Sequence, residues 1–183
     1  MSVENAEFQI VRDENGDFNF DDLSEAQDSK LIKWLHIKEL FMNDGVLRVL
    51  DNGAINKPIR YVVDDVDVTV KDFQIGQVFR LDIKAASPGS RMQNIFLYGE
   101  AGPMAYEQKN EEIPLDVDLK VVDLPITPYN RYAFPRNAPI VPISGYMNID
   151  YHMTGDFWSG VTMSGSMGFN NVVLQSRSEE RRV

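Results

Sequence analysis

The residues able to do chemistry are few and scattered. The two histidines, His36 and His152, stand in separate segments, and neither has the HxH or HExxH spacing that puts two imidazoles on one metal ion. Both read as polar-face side chains. Carboxylates fall in adjacent pairs at Asp21-Asp22, Asp64-Asp65 and Glu111-Glu112, but neighbours on an extended strand point to opposite faces, which separates them as an acid/base couple or a cation site. They read as solvated surface. The small-residue run Ser164-Gly165-Ser166-Met167-Gly168 lacks the lysine and following helix of a phosphate loop; in a strand, such residues permit bending or close packing. The sequence holds no cysteine, which excludes thiol nucleophiles, disulfides and thiolate metal sites. No catalytic residue, metal site or cofactor is expected, and the chain is read as a non-enzyme.

What must position any site is an alternating pattern. Met147, Ile149, Tyr151 and Met153 alternate with Asn148, Asp150, His152 and Thr154, the period-two signature of a strand. Val161, Met163, Met167 and Phe169 share a face with Gly165. Phe79, Leu81, Ile83 and Ala85 oppose Val78, Arg80, Asp82 and Lys84; Leu115, Val117, Leu119 and Val121 oppose Asp116, Asp118 and Lys120; Val66, Val68 and Val70 oppose Asp65, Asp67, Thr69 and Lys71. No segment has the period of a long amphipathic helix. The expectation is a mainly β, antiparallel, strongly twisted, elongated meander sheet of about ten strands forming an apolar groove.

With 183 residues the chain suits one domain, taken as 1–183. Residues 1–23 form an N-terminal hairpin about Asn15-Gly16, with Val11 opposite Phe20; 24–30 form a polar linker; 31–175 form the main sheet; 176–183 form a polar tail. Residues 31–51 read as a second hairpin about Asp44-Gly45, in which Met42 meets Leu47, Leu40 meets Val49 and Lys38 meets Asp51. Further strands are expected near 59–72, 77–86, 92–100, 114–123, 143–155 and 158–175. Prolines at 125, 128, 135, 139 and 142 predict a short helical turn near 126–133 and an extended crossover that acts as a lid or an end cap.

Net charge of −10 argues against nucleic acid, whose phosphates demand clustered Lys and Arg. No apolar run reaches the ~18 residues of a membrane span, and residues 1–7 lack the basic and apolar regions of a secretory signal.

Several ordered stretches resemble the AsmA-like proteins of Gram-negative bacteria. They are residues 7–23 (EFQIVRDENGDFNFDDL), residues 37–47 (IKELFMNDGVL), Val63 to Phe73 with its Val-Asp-Val-Thr-Val core, residues 95–103 (IFLYGEAGP), residues 114–124 (PLDVDLKVVDL), and Gly145 to Gln175. The resemblance spans nearly the whole chain in family order. It departs in lacking the N-terminal anchor helix and in being far shorter, as an excised soluble domain would be. It implies a periplasmic module, tethered to the inner membrane by flanking sequence, whose apolar trough carries phospholipid acyl chains between inner and outer membranes in support of outer-membrane homeostasis.

The residues expected to line such a trough are Val66, Val68, Val70, Leu81, Ile83, Leu115, Val117, Leu119, Met147, Ile149, Met153, Met163, Met167 and Phe169. Ten strands at ~4.8 Å spacing extend about 48 Å, and ten residues at ~3.3 Å extend about 33 Å, ample for an acyl chain. Other classes compete. The same stripes, facing one another in a closed sandwich, make an ordinary core without a ligand. Exposed sheet edges suit an assembly module. Trp34, Trp158 and the carboxylates are the sole basis for a hydrolase or sugar-binding reading.

Overall fold

The computed structural model describes residues 2–15, 17, 19, 36–52, 58–103, 113–130, 138–156 and 159–176. Its elements are β1 (Ser2–Glu4), β2 (Glu7–Arg12), β3 (His36–Asp51), β4 (Ile59–Gln74), β5 (Phe79–Ala86), β6 (Ile95–Ala101), β7 (Pro114–Pro125), a 3-10 turn (Thr127–Tyr129), β8 (Ile140–Asp156) and β9 (Gly160–Ser176). All nine strands join one open sheet in the order β3-β4-β5-β6-β7-β8-β9, with β1 and β2 both on the outer side of β3. From β3 onward every pairing is antiparallel and every connection links neighbours, as the alternation predicts. The sheet does not close on itself.

The N-terminal third departs from expectation. Residues 36–51 make one strand of 16 residues rather than a hairpin, paired along its length with β4, so Met42 meets Val68 and Leu40 meets Val70. Asp44-Gly45 has the positive-φ tendency of a turn, with Asp44 at φ 54, but the long partner strand absorbs it as a bulge. Asp65, at φ 52, supplies an extra residue on β4 immediately afterwards, and the two irregularities cancel. β1 and β2 pair with β3 in parallel, not antiparallel. The chain turns back after β2, since Asp13 N–H donates to the Asp17 carbonyl and Asn19 N–H donates to the Val11 carbonyl, but this sets Asn19 beside Val11 where Phe20 is expected, a register one residue shorter. Phe20 and linker 24–30 lie outside the described residues, as does the 176–183 tail apart from Ser176, which ends β9. Arg48 ties β2 down by donating from Nε to Glu7 Oε1 at 2.5 Å, and the guanidinium holds that carboxyl below its ordinary range.

Bulges recur along a belt across the sheet. Asp123 (φ 48) adds a residue to β7, while shifts at Pro142/Ser144 and at Asn171 (φ 53) form a second cancelling pair between β8 and β9. Asp and Asn are the side chains that best tolerate this left-handed backbone. A bulge sharpens local twist, so the belt bends the sheet.

Asn94 pins the belt where β5 and β6 end. It is buried, its N–H donates to the Ala85 carbonyl, and its Oδ1 accepts the Ser87 N–H at 2.9 Å. Its Nδ2 donates to the Val122 carbonyl at 3.0 Å, and its own carbonyl accepts the Val122 N–H. One side chain therefore satisfies groups on β5 and β7 together. Asn94→Ala leaves a buried N–H and a carbonyl without those partners and is expected to cost about 2–3 kcal/mol in chemical denaturation. Asn94→Asp keeps the acceptor, loses the donor, and should fall between the two.

Candidate functional site: an apolar trough with a capped end

Cross-strand register assembles the apolar residues into rows. One row runs Leu40, Val70, Leu81, Gly99, Val117, Met153, Met163. The next runs Met42, Val68, Ile83, Leu97, Leu119, Tyr151, Gly165. Beside them lie Ala85, Ile95, Val121, Ile149, Met167 and, on the other flank, Phe79, Ala101, Leu115, Gly155, Val161. Paired residues share a face, and neighbouring rows alternate with polar ones, so all these rows line one side of the sheet.

The opposite side carries the charge. Its rows are Glu39, Lys71, Arg80, Glu100, Asp116, Thr154, Thr162, and Thr69, Asp82, Tyr98, Asp118, His152, Ser164, and Asp67, Lys84, Phe96, Lys120, Asp150, Ser166. Opposite charges meet there, as in Lys71 with Glu39 at 3.2 Å and Arg80 with Asp72 at 3.4 Å. Exposed pairs of this kind add little to stability and much to solubility.

Two glycines set the curl of the apolar side. A Cβ on Gly99 would lie 2.2 Å from the Asp116 carbonyl oxygen and 2.7 Å from the Val117 Cα. A Cβ on Gly165 would lie 2.0 Å from the Asp150 carbonyl oxygen and 2.8 Å from Cδ1 of Tyr151, whose ring covers the gap. Both have φ near +150°, open to glycine alone. Glycine kinks with an aromatic laid over them are how a sheet curves without losing a strand. The small-residue run at 164–168 thus permits bending and close approach through Gly165.

Burial follows the curl. Val117 is 2% exposed and Val121 6%, whereas Met163 on the outermost strand is 60% exposed. Most other row residues are half-buried. Among the described residues the main packing runs between neighbouring strands and from the 3-10 turn to β8, with a lesser contact from the turn to Tyr61 of β4, and no second sheet or helix lies over these rows. The apolar side is therefore a trough, deepest at β7 and shallowest at β9.

The proline-rich segment closes one end. Ile126 N–H donates to the Gly145 carbonyl, and Asn130 Nδ2 donates to the Pro142 carbonyl at 2.6 Å, fixing the turn to β8. Tyr129 stacks on Tyr61 of β4 with ring centroids 5.4 Å apart, and the Tyr61 hydroxyl donates to the Pro128 carbonyl. Burial raises the Tyr129 phenol above its ordinary pKa. Tyr61 lies on the trough side, two residues from Val63, which pairs with Leu47. The turn after β7 thus reaches β4 beyond the ends of β5 and β6. The helical turn expected over 126–133 is the Thr127–Tyr129 turn, and its place matches an end cap; 131–137 lie outside the described residues.

All 14 expected lining residues fall on the trough side. Val70, Leu81, Val117, Met153 and Met163 share the first row, and Val68, Ile83 and Leu119 the second. Ile149 and Met167 follow, Met147 pairs with Phe169, Leu115 sits in the flanking row, and Val66 faces Gly45. Sequence reasoning missed Leu40 and Met42, hidden by the supposed hairpin. It also missed Ile95 and Leu97, because Ile95-Phe96-Leu97-Tyr98 is apolar on both faces and conceals its own period.

The polar candidates do not converge. His36 stands opposite Gln74, and His152 lies on the charged side, with Nδ1 3.0 Å from Asp118 Oδ1 and Nε2 3.6 Å from Asp116 Oδ1. Asp64 and Asp65 flank the β4 bulge, where Asp44, Asp65 and Asp67 bring carboxylate oxygens within 4.8 Å of one another. Asp67 there accepts the Asp44 N–H at 3.1 Å and the Gln93 amide at 2.8 Å, which braces the paired bulges. Asp21-Asp22, Glu111-Glu112, Trp34 and Trp158 lie outside the described residues.

No family model, curated protein or solved structure matches the chain. No helix among the described residues is long and apolar enough to cross a membrane.

Proposed function

We propose that this chain is a lipid-binding module that shelters phospholipid acyl chains in the trough. The observation that carries the reading is the set of unbroken apolar rows, seven residues across, half-exposed on one side of an open sheet. Large exposed apolar surfaces are held in natural proteins for a partner. Apart from the Tyr151 hydroxyl the rows carry no polar side-chain group, which suits a partner recognised by its hydrocarbon. Six strand spacings of ~4.8 Å make a row about 29 Å long, and a tail with about ten methylenes half-sheltered along it gains on the order of 4 kcal/mol. Methionines in the shallow part, Met153, Met163 and Met167, adapt to tails of different shape.

The AsmA-like resemblance extends this reading to movement of phospholipid between inner and outer membranes, in the periplasm, with attachment to the inner membrane through flanking sequence. The trough supports that role in form: rows crossing the strands give a path along which a tail can slide. Native mass spectrometry of the gently purified protein should find phospholipid bound, released by mild activation. A protein that stays lipid-free after incubation with phospholipid vesicles contradicts the proposal.

A further inference from the structure

The two edges of the sheet are built in opposite ways. At the β3 side, from Phe41 onward, the edge is made of strands of 3 and 6 residues, interrupted at Asn5 and carrying Glu4, Glu7 and Arg12, and the rest of β3 before Phe41 carries His36, Lys38 and Glu39. Short, broken, charged strands are the usual protection against edge pairing. At the other side β9 runs for 17 residues and pairs only with β8 among the described residues. It contains no Asp, Glu, Lys, Arg or Pro, in a chain with 28 acidic and 18 basic residues, and every other strand has at least one charge. Met163, Met167 and Phe169 stand 60%, 47% and 58% exposed along it.

We propose that β9 pairs antiparallel with β9 of a second copy of this chain. Charge selects this occupant: at net −10 two copies repel over most of their surface, and β9 is the one strand along which they can meet without like charges. Register supports it too. Between Gly160 and the Asn171 bulge β9 is regular, and antiparallel pairing about a two-fold axis at Ser166 sets Met163 against Phe169 of the other copy and Met167 against Gly165. The first contact joins sulfur to an aromatic ring, and the second fills the space beside a glycine. On the charged side the same register pairs Ser164 with Gly168 and Ser166 with itself, so small groups meet. An isologous junction of this kind closes and leaves the protected edges outermost. The apolar rows then continue from one copy into the next. Pairing does not depend on lipid, and its test is separate.

Sedimentation velocity across micromolar concentrations is expected to show a species of twice 20.8 kDa. Ser164→Lys combined with Ser166→Lys gathers four ammonium groups on one side of the junction and should return the protein to monomer with unchanged circular dichroism. Because the chain lacks cysteine, Ser166→Cys treated with a short bismaleimide should give a covalent dimer, while Thr162→Cys should not. A wild-type protein that stays monomeric, or a dimer that survives the double lysine substitution, overturns the proposal; linking at Thr162→Cys but not at Ser166→Cys overturns the register.

Discussion

Gly99→Val is expected to abolish cooperative folding, and it should be the most damaging single substitution at any described glycine on the deep side of the trough. The Cβ site is 2.2 Å from one backbone atom of β7 and 2.7 Å from another, neither of which can rotate away. Strand β6 would have to leave β7 or flatten, and φ of 150° would have to be abandoned as well. Steric and backbone costs together reach on the order of 4 kcal/mol or more, a large part of the ~5–15 kcal/mol a domain has in reserve. Gly168→Ala is the matched control. Gly168 lies on the charged side with nothing within 4 Å of its Cβ position, so its melting temperature should hardly move. If Gly99→Val melts like the wild type, the curl does not rest on that contact.

Ile149→Asp should leave the sheet folded and remove lipid retention. Ile149 lies in the row between Val121 and Met167 and is half-buried, so a carboxylate there can reach water in the empty trough but not beneath an acyl chain. Covering it with hydrocarbon forces either burial of charge or uptake of a proton, each costly. A loss of about tenfold or more in vesicle-lipid capture corresponds to at least ~1.4 kcal/mol, well within that penalty. Tyr98→Asp, on the charged side and 50% exposed, should bind like the wild type. If Ile149→Asp unfolds while Tyr98→Asp stays folded, the row is core and not a surface for lipid.

Much of this architecture is legible in the alternation. From Val66 onward the strand order, the face of each lining residue and the strand ends to within a few residues follow from period two and turn residues, since neighbouring antiparallel strands need only short connections. The N-terminal third was illegible because Asp44-Gly45 carries the same local preference whether it turns a chain or bulges one; the choice is made by β4, which lies beyond it in sequence. Parallel pairing of β1 and β2 is likewise fixed by a distant strand. The cap was readable as a proline-rich turn, but its seat on Tyr61 depends on β5 and β6 being short enough to let the turn reach β4. Curvature had one visible mark, the glycines, whose role needs the partner strand's carbonyl in view.

The most direct test of the trough as a lipid site is photocrosslinking from vesicles of phosphatidylcholine bearing a diazirine on the acyl chain, followed by peptide mapping. Adducts are expected on trough residues such as Leu81, Leu119 and Met153, with few on Asp82, Tyr98 or Asp118 of the charged side. Adducts spread equally over both sides, or absent from the trough rows in a protein that remains folded, would contradict a lipid site there.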